Sequence, residues 1–254
     1  MAFKHFITLY DVRSTLDPPA WSPNVWKVRF ILNFKRLPYC TQFLAYPDIA
    51  GVLSSVGAPP TRAEMPQYTV PAILDEAEGS SPLALSDSSH IAMHLDKTYP
   101  EPSIFPGGCH REQMRYAAAI HKHVMLPMLH MVVPSTVDIL EGRDLDYYLA
   151  TREGFLGIAL EDMFPPHKQQ AVWDGILRGL DELAALIDSS RDHRAGPWMF
   201  SPVENPSYAD FVLGAMLIWF RRAGPRGCWD RICRRNDGKW EHLLQILEPY
   251  MEVL

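Results

Sequence analysis

The chain changes character near residue 110, and this change limits the folds that it can adopt. Before that point, short apolar runs rich in β-branched and aromatic residues alternate with amphipathic runs of helical spacing. After it, strand signals vanish and long helical patterns continue to Leu254. The sequence therefore predicts two neighbouring domains, one α/β and one all-helical.

Strand and helix signals follow one another over the first hundred residues. In chain order, they lie at residues 6–10 (strand), 23–35 (helix), 39–45 (strand), 49–56 (short helix), 70–75 (strand), 83–85 (strand) and 86–97 (helix). The first three form a βαβ unit, and a hairpin with a turn at Ser80-Ser81 and a helix follow. This order is typical of a thioredoxin-like sheet, which we expect for residues 1–103.

The second half of the chain predicts helices only, in a domain that spans residues 110–254. The candidate helices lie at residues 111–131, 145–163, 166–189, 207–222 and 229–254. Ser207 and Asp210 have the spacing of a capping box, and we assign them to folding rather than to catalysis. A proline-rich linker near residues 99–108 joins the two domains.

Composition and charge exclude several classes of function. The net charge of -6 argues against a nucleic-acid partner. Residues 1–5 lack the apolar region of a secretory signal, and the longest apolar run, residues 211–220, is too short to cross a membrane. The four cysteines form no Cys-x-x-Cys pair, so we expect reduced thiols in a cytoplasmic protein without structural zinc. His90 and His94 match no metal motif, and we interpret them as a solvated helix face.

Ser22-Pro23 marks the start of the first helix and is the main candidate for chemistry. Serine is a preferred N-cap residue, and proline is favoured at the first helical position. A helix N-terminus attracts anions through its free N–H groups and its dipole. On this stretch alone two interpretations stay open: Ser22 is an ordinary cap, or it stabilises a bound thiolate.

Five motifs resemble, in the same order, those of the cytosolic glutathione transferases. They are Ile7-Thr8-Leu9-Tyr10-Asp11, Ser22-Pro23-Asn24-Val25-Trp26-Lys27, Val70-Pro71, Asp87-Ser88 and Asn205-Pro206-Ser207-Tyr208-Ala209-Asp210. Ser-Pro-x-Val-Trp, Leu-Asp-Lys-Thr-Tyr-Pro and Tyr-Ala-Asp-Phe resemble more narrowly the etherase-type branch, with its bacterial β-aryl-etherases and fungal-specific class A transferases. The resemblance covers nearly the whole length. It implies the glutathione transferase architecture, glutathione as cosubstrate, no metal, and a homodimer.

The resemblance gives Ser22 the central role. Its hydroxyl and the helix N-terminus would stabilise the glutathione thiolate and lower the pKa of the thiol. Asn24 would add an amide donor or, alternatively, face the solvent in the first helical turn. Because no cysteine stands at position 22, a mixed-disulfide mechanism is disfavoured, and Cys40 is interpreted as inert core.

Four further residues would hold the rest of glutathione. Pro71 would be the cis-proline before the third strand, which turns the backbone of Val70 towards the cysteinyl part. Asp87 suits the ammonium group of the γ-glutamyl end, and Ser88 at a helix N-terminus suits its carboxylate. Three residues stay open as partners of the glycyl carboxylate: Arg62, Gln67 and Thr69.

The acceptor substrate is expected to be a hydrophobic aromatic compound, such as an aryl ether. Aromatic and methionine side chains suit such a ligand. The candidates in the second domain are Tyr116, Ile120, His123, Met125, Met128 and Trp219. Core packing is the competing interpretation for each of them. A second function also stays open, that of a ligandin-like protein that sequesters aromatics with little turnover.

Overall fold

The computed structural model describes residues 5–77, 81–189 and 197–254, which form two compact units. Unit one contains the described residues up to Pro102 with Leu140–Thr151 and Tyr250–Leu254, and unit two contains Ser103–Ile139 and Arg152–Pro249. Unit one is built on a sheet and unit two is helical, which confirms the predicted fold class. The boundaries at 1–103 and 110–254 stay a prediction.

Unit one follows the predicted order of strands and helices. Its elements are β1 (His5–Val12), α1 (Pro23–Phe34), β2 (Tyr39–Leu44), α2 (Ile49–Ser55), β3 (Ala72–Ala77), β4 (Leu83–Ser86) and α3 (Ser88–Thr98). The sheet order is β2-β1-β3-β4, with β1 parallel to β2 and antiparallel to β3, and β3 antiparallel to β4. The turn predicted at Ser80-Ser81 lies partly outside the described residues.

Helix α1 forms because its apolar residues recur at helical spacing and bury one face. Val25, Val28 and Ile31 are fully buried. The same helix also buries Arg29 completely, and its guanidinium donates to Asp11 Oδ2 at 2.8 Å. A charge in the core is tolerated because this carboxylate compensates it.

A later segment of the chain completes unit one. Asp144 is buried, and its carboxylate accepts hydrogen bonds from Arg13 Nε at 2.6 Å and from the backbone N–H of Tyr46 at 2.5 Å. Tyr46 also stacks on Tyr147, with ring centroids 6.1 Å apart. Residues 140–151 are thus held to the C-terminal ends of the two parallel strands.

The remaining helices fill the second half of the chain. They are α4 (His110–Ile120), a π-helical turn (His121–Met125), α5 (Leu126–Ser135), α6 (Gly142–Leu156), α7 (Gln169–Ser189), α8 (Tyr208–Ala223), α9 (Trp229–Cys233) and α10 (Lys239–Leu247). Helix α8 is buried along most of its length and contains the long apolar run. Ser207 and Asp210 form the predicted capping box, with the Ser207 N–H 2.9 Å from Asp210 Oδ2. None of the described helices is both long and apolar enough to cross a bilayer.

The prediction of one helix over residues 229–254 is wrong. The chain breaks between α9 and α10 because Asn236, Asp237 and Gly238 adopt positive φ angles of 51°, 56° and 77°. Asn, Asp and Gly are the residues that tolerate this left-handed conformation, so the stop signal was present in the sequence.

Candidate functional site

The carboxyl ends of β1 and β4 and the start of β3 lie together at one end of the sheet. Tyr10 of β1 lies opposite Ala72 of β3, and Ala72 lies opposite Ser86 of β4. β1 and β4 therefore end where β3 begins, and neighbouring strands are about 4.8 Å apart. The segments that contain the six predicted site residues connect to the strands at this end of the sheet. The carboxyl ends of strands are a common ligand site in α/β folds.

Ser22 stands at the start of α1, as predicted, but its hydroxyl does not cap the helix. The residue is 8% exposed, and its carbonyl accepts the N–H of Trp26 at 3.0 Å. Its side chain makes no capping hydrogen bond. Pro23 has no N–H, so the N–H groups of Asn24 and Val25 face the helix start without a side-chain cap. No acidic residue lies in the first turn, and this arrangement suits an anion.

Asn24 is exposed and is linked to a residue that we did not predict. Its Oδ1 accepts a hydrogen bond from Nζ of Lys27 at 2.9 Å, which leaves the amide nitrogen as a donor. Burial lowers the pKa of Lys27 to about 8, and the nearby carboxylate of Asp87 opposes this shift. A lysine three residues after Asn24 is one helical turn away, and this spacing was the signal in the sequence.

Asp87 caps α3 and keeps one carboxylate oxygen free. Oδ1 accepts the N–H groups of Ser89 and His90, at 2.9 and 3.1 Å, and also the Ser89 hydroxyl. Within the described chain, Oδ2 receives no hydrogen bond, and the hydroxyl of Ser88 makes none. Burial acts to raise the pKa of Asp87, but these hydrogen bonds outweigh it and hold the pKa below its usual value. Asp87 is therefore an anion with an open face.

The backbone at Asp87 also departs from ordinary geometry. Its φ angle is 74°, which is uncommon for a residue other than glycine. Conformations of this kind cluster at ligand sites, where the surrounding structure supports them. The peptide bond between Val70 and Pro71 is cis, as the resemblance implies. Among the described residues, no hydrogen-bond partner is found for the N–H or the C=O of Val70.

In the loop before Val70, two of the three candidates for the glycyl carboxylate already make side-chain hydrogen bonds. The hydroxyls of Thr69 and Thr61 are 2.8 Å apart, and Gln67 Nε2 donates to the carbonyl of Ala63 at 3.0 Å. Arg62 is exposed, and its guanidinium has no hydrogen bond or ion pair to any residue that the structure describes.

The acceptor candidates in unit two include buried and half-buried residues. Ile120 and Met128 are fully buried, and Trp219 is 4% exposed, so these three pack the core. The Tyr116 hydroxyl donates to Glu112 at 2.8 Å, and Nδ1 of His123 lies 2.6 Å from Glu182.

Two interpretations from the sequence need correction. Cys40 is exposed and is not part of the core, because β2 is an edge strand whose side chains alternate between the two faces. His94 is not simply solvated, since its Nε2 lies 2.8 Å from Asp75 Oδ2. In the part of the chain that the structure describes, no three His, Cys, Asp or Glu side chains are grouped as in a metal site.

The fold and the site define a class of protein. It has a helical unit and a thioredoxin-like unit, and the thioredoxin-like unit contains an uncapped helix start and an exposed acidic cap. Family models agree with this class. Residues 20–103 match the N-terminal domain of glutathione S-transferases, and residues 113–250 match their C-terminal domain.

Individual relatives extend the match to the whole chain. The glutathione S-transferase-like protein ustS of Aspergillus flavus is 32% identical over 96% of this chain and 90% of its own length. A glutathione S-transferase of Ceriporiopsis subvermispora, crystallised in complex with glutathione, is 33% identical with a TM-score of 0.88, and the match covers 98% of both chains. The glutathione transferase GSTFuA3 from Phanerochaete chrysosporium is 30% identical with a TM-score of 0.86, again over 98% of both. The chain belongs to the glutathione S-transferase family.

Proposed function

We propose that this protein is a glutathione transferase in which Ser22 stabilises the thiolate of glutathione. One observation carries the proposal: a nearly buried serine stands at a helix start, and its hydroxyl caps nothing. The solved relative from Ceriporiopsis subvermispora, 33% identical, contains glutathione and supports the choice of ligand. The free backbone groups of Val70, beside Pro71, pair with the cysteinyl part, and Asp87 and Ser88 hold the γ-glutamyl end.

The chemistry follows from the charge that develops on sulfur. A free thiol has a pKa of about 8.5, so little thiolate exists at neutral pH. The Ser22 hydroxyl, the uncapped N–H groups of α1 and the amide of Asn24 donate to the anion and favour it over the thiol. The thiolate attacks an electrophilic carbon of an aromatic compound. In the etherase-like reaction, a C–S bond forms at the carbon that bears the aryloxy group, next to the ketone carbonyl. The C–O bond at that carbon breaks, and a phenolate leaves with the electron pair and is protonated by water.

Other parts of the function rest on the same proposal. Arg62 is the group that we assign to the glycyl carboxylate, because its donors are free and planar. A homodimer in the cytoplasm is the expected state of the protein.

The experiment compares S22A with N24A in the conjugation of glutathione to 1-chloro-2,4-dinitrobenzene. A hydrogen bond to a charged group contributes about 1.5–3 kcal/mol, so S22A should lower turnover about 10- to 100-fold at neutral pH. N24A should have a smaller effect, because the helix N–H groups and Ser22 remain. If S22A keeps wild-type turnover across pH 6–8, the role of Ser22 is wrong.

A second assay separates the etherase-like reaction from general conjugation. A β-aryl ether beside a ketone, with a fluorescent phenol as leaving group, should release that phenol only when glutathione is present. Conjugation of the chlorinated substrate without release from the ether would remove the etherase assignment and leave the transferase assignment intact.

A further inference from the structure

Lys27 is linked to residues at both ends of the proposed glutathione site. It follows Ser22 on α1 and donates to Asn24 at 2.9 Å. It also interacts electrostatically with Asp87, the residue that begins α3, and α1 and α3 pack against each other. The sequence assigned it no role.

The charges of Lys27 and Asp87 attract each other but do not form an ion pair. Among the described residues, no carboxylate oxygen lies within the 4.0 Å of a salt bridge to Lys27 Nζ. An ammonium group has three donors, and only one is used here, by Asn24. Asp87 Oδ2 is free as well. A separated ammonium and carboxylate complement an α-amino acid: the ammonium can pair with the carboxylate of the ligand, and the carboxylate can pair with its ammonium group.

The surroundings of Lys27 also favour an added anion. The side chain is partly buried, and burial lowers its pKa to about 8. An anionic ligand beside the ammonium would stabilise its charged form.

We infer that Lys27 binds the α-carboxylate of the γ-glutamyl residue of glutathione, while Asp87 accepts a hydrogen bond from its ammonium group. The hydroxyl of Ser88 donates to the same carboxylate. Lys27 would then select a ligand with a free α-amino acid end. This inference rests on the proposed function, because it assumes that glutathione occupies the site.

The test uses S-methylglutathione, which has no thiol to titrate, and calorimetry at pH 7. We expect K27M to weaken its binding about 10- to 100-fold, as for the loss of one charge-assisted hydrogen bond. K27R keeps the charge and should restore most of the affinity. K97M removes an exposed lysine of α3 and should leave the affinity unchanged. Thermal unfolding of each variant shows that it is folded.

Two ligand analogues locate the contact. The 4-aminobutyryl analogue lacks only the α-carboxylate, and K27M should not weaken its binding further. The glutaryl analogue lacks only the ammonium group; K27M should still weaken it, whereas D87N should not. An equal loss of affinity for S-methylglutathione and its 4-aminobutyryl analogue, or no loss for either, overturns the inference. A wild-type protein that does not bind S-methylglutathione contradicts the proposed function itself.

Discussion

Lys27 and Arg29 stand two residues apart on α1 and have different surroundings. Residues at this spacing are about 200° apart around a helix, so they point to opposite sides. Arg29 enters the core, where it binds Asp11 and the hydroxyl of Thr41, each at 2.8 Å. Lys27 lies on the other side of the helix, where we propose that it binds glutathione.

Replacing Arg29 by methionine should strongly destabilise the protein. The change leaves the carboxylate of Asp11 buried without its partner, and loss of one member of a buried pair costs about 3–5 kcal/mol. Burial already raises the pKa of Asp11 to about 6 against the opposing effect of Arg29. Urea unfolding at pH 7.5 measures the loss. The double variant R29M/D11L should regain part of it, and a cost of R29M below about 1 kcal/mol would contradict this account.

Lys27 makes stability depend on pH in a predictable direction. Its pKa is about 8 in the folded protein and 10.5 as its ordinary value, so the folded state binds fewer protons between these pH values. Stability therefore rises with pH wherever the unfolded state holds the extra proton. The destabilising effect of Lys27 is fully present below pH 8 and is lost as the pH approaches 10.5.

Without ligand, the difference in unfolding free energy between wild type and K27M should therefore change with pH. Denaturant unfolding at pH 7.5, 9 and 10 should show wild type gaining stability relative to K27M at each step. K97M, measured in parallel, gives the effect of losing one lysine at an exposed position. A constant difference between wild type and K27M over this range would show that Lys27 is solvated.

A single glycine sets how closely α7 approaches the π-helical turn. A Cβ built on Gly179 would lie 1.8 Å from the carbonyl oxygen of His123, whereas one on Gly175 meets nothing within 4 Å. Both glycines lie in α7. They form a matched pair, because the helix is the same and only the neighbour differs.

Alanine at these two positions should change stability in opposite directions. G175A should stabilise by about 0.5–1 kcal/mol, since alanine is the better helix former. In G179A, the added methyl group would clash with the backbone carbonyl of His123 and force the two segments apart, which should cost about 3 kcal/mol or more. Equal melting temperatures for the two variants would mean that the close contact is absent in solution.

Residues 250–254 cover the edge strand β2 of the sheet. Asn33 of α1 donates to the carbonyls of Tyr250 and Glu252, each at 2.8 Å, and the N–H of Thr41 in β2 donates to Leu254 at 2.8 Å. Strand β2 is an edge strand, and exposed edges promote aggregation.

Removal of residues 250–254 should destabilise unit one and make the protein prone to aggregate. Each lost hydrogen bond costs about 0.5–1.5 kcal/mol, so the total should be a few kcal/mol. N33A tests the same contact with the chain intact and should lose a part of this. Melting temperature and light scattering report the two effects, and a truncated protein with unchanged melting and scattering would contradict the role of this segment.

The local sequence predicts most of the secondary structure, but it does not predict the contacts between residues that are far apart in the chain. The strands and helices of unit one follow from residue spacing, and α8 follows from its apolar run and its Ser207–Asp210 cap. Contacts between distant residues left no periodic signal: Arg13 and Asp144 are 131 positions apart. The roles that we propose for Val70, Asp87 and Ser88 come from the resemblance, since each is an ordinary loop or cap residue by itself. The local sequence indicates no role for Lys27, because the role that we propose depends on the packing of α3 against α1.

We propose that Ser22 stabilises the thiolate of bound glutathione, and ultraviolet difference spectroscopy measures that charge state directly. Thiolate absorbs near 240 nm, so titration of the enzyme–glutathione complex gives the pKa of the bound thiol. In wild type, we expect that pKa to lie well below that of free glutathione. In S22A it should rise by about 1–2 units, the equivalent of one charged hydrogen bond. A bound thiol with the same pKa in wild type and S22A would contradict the account.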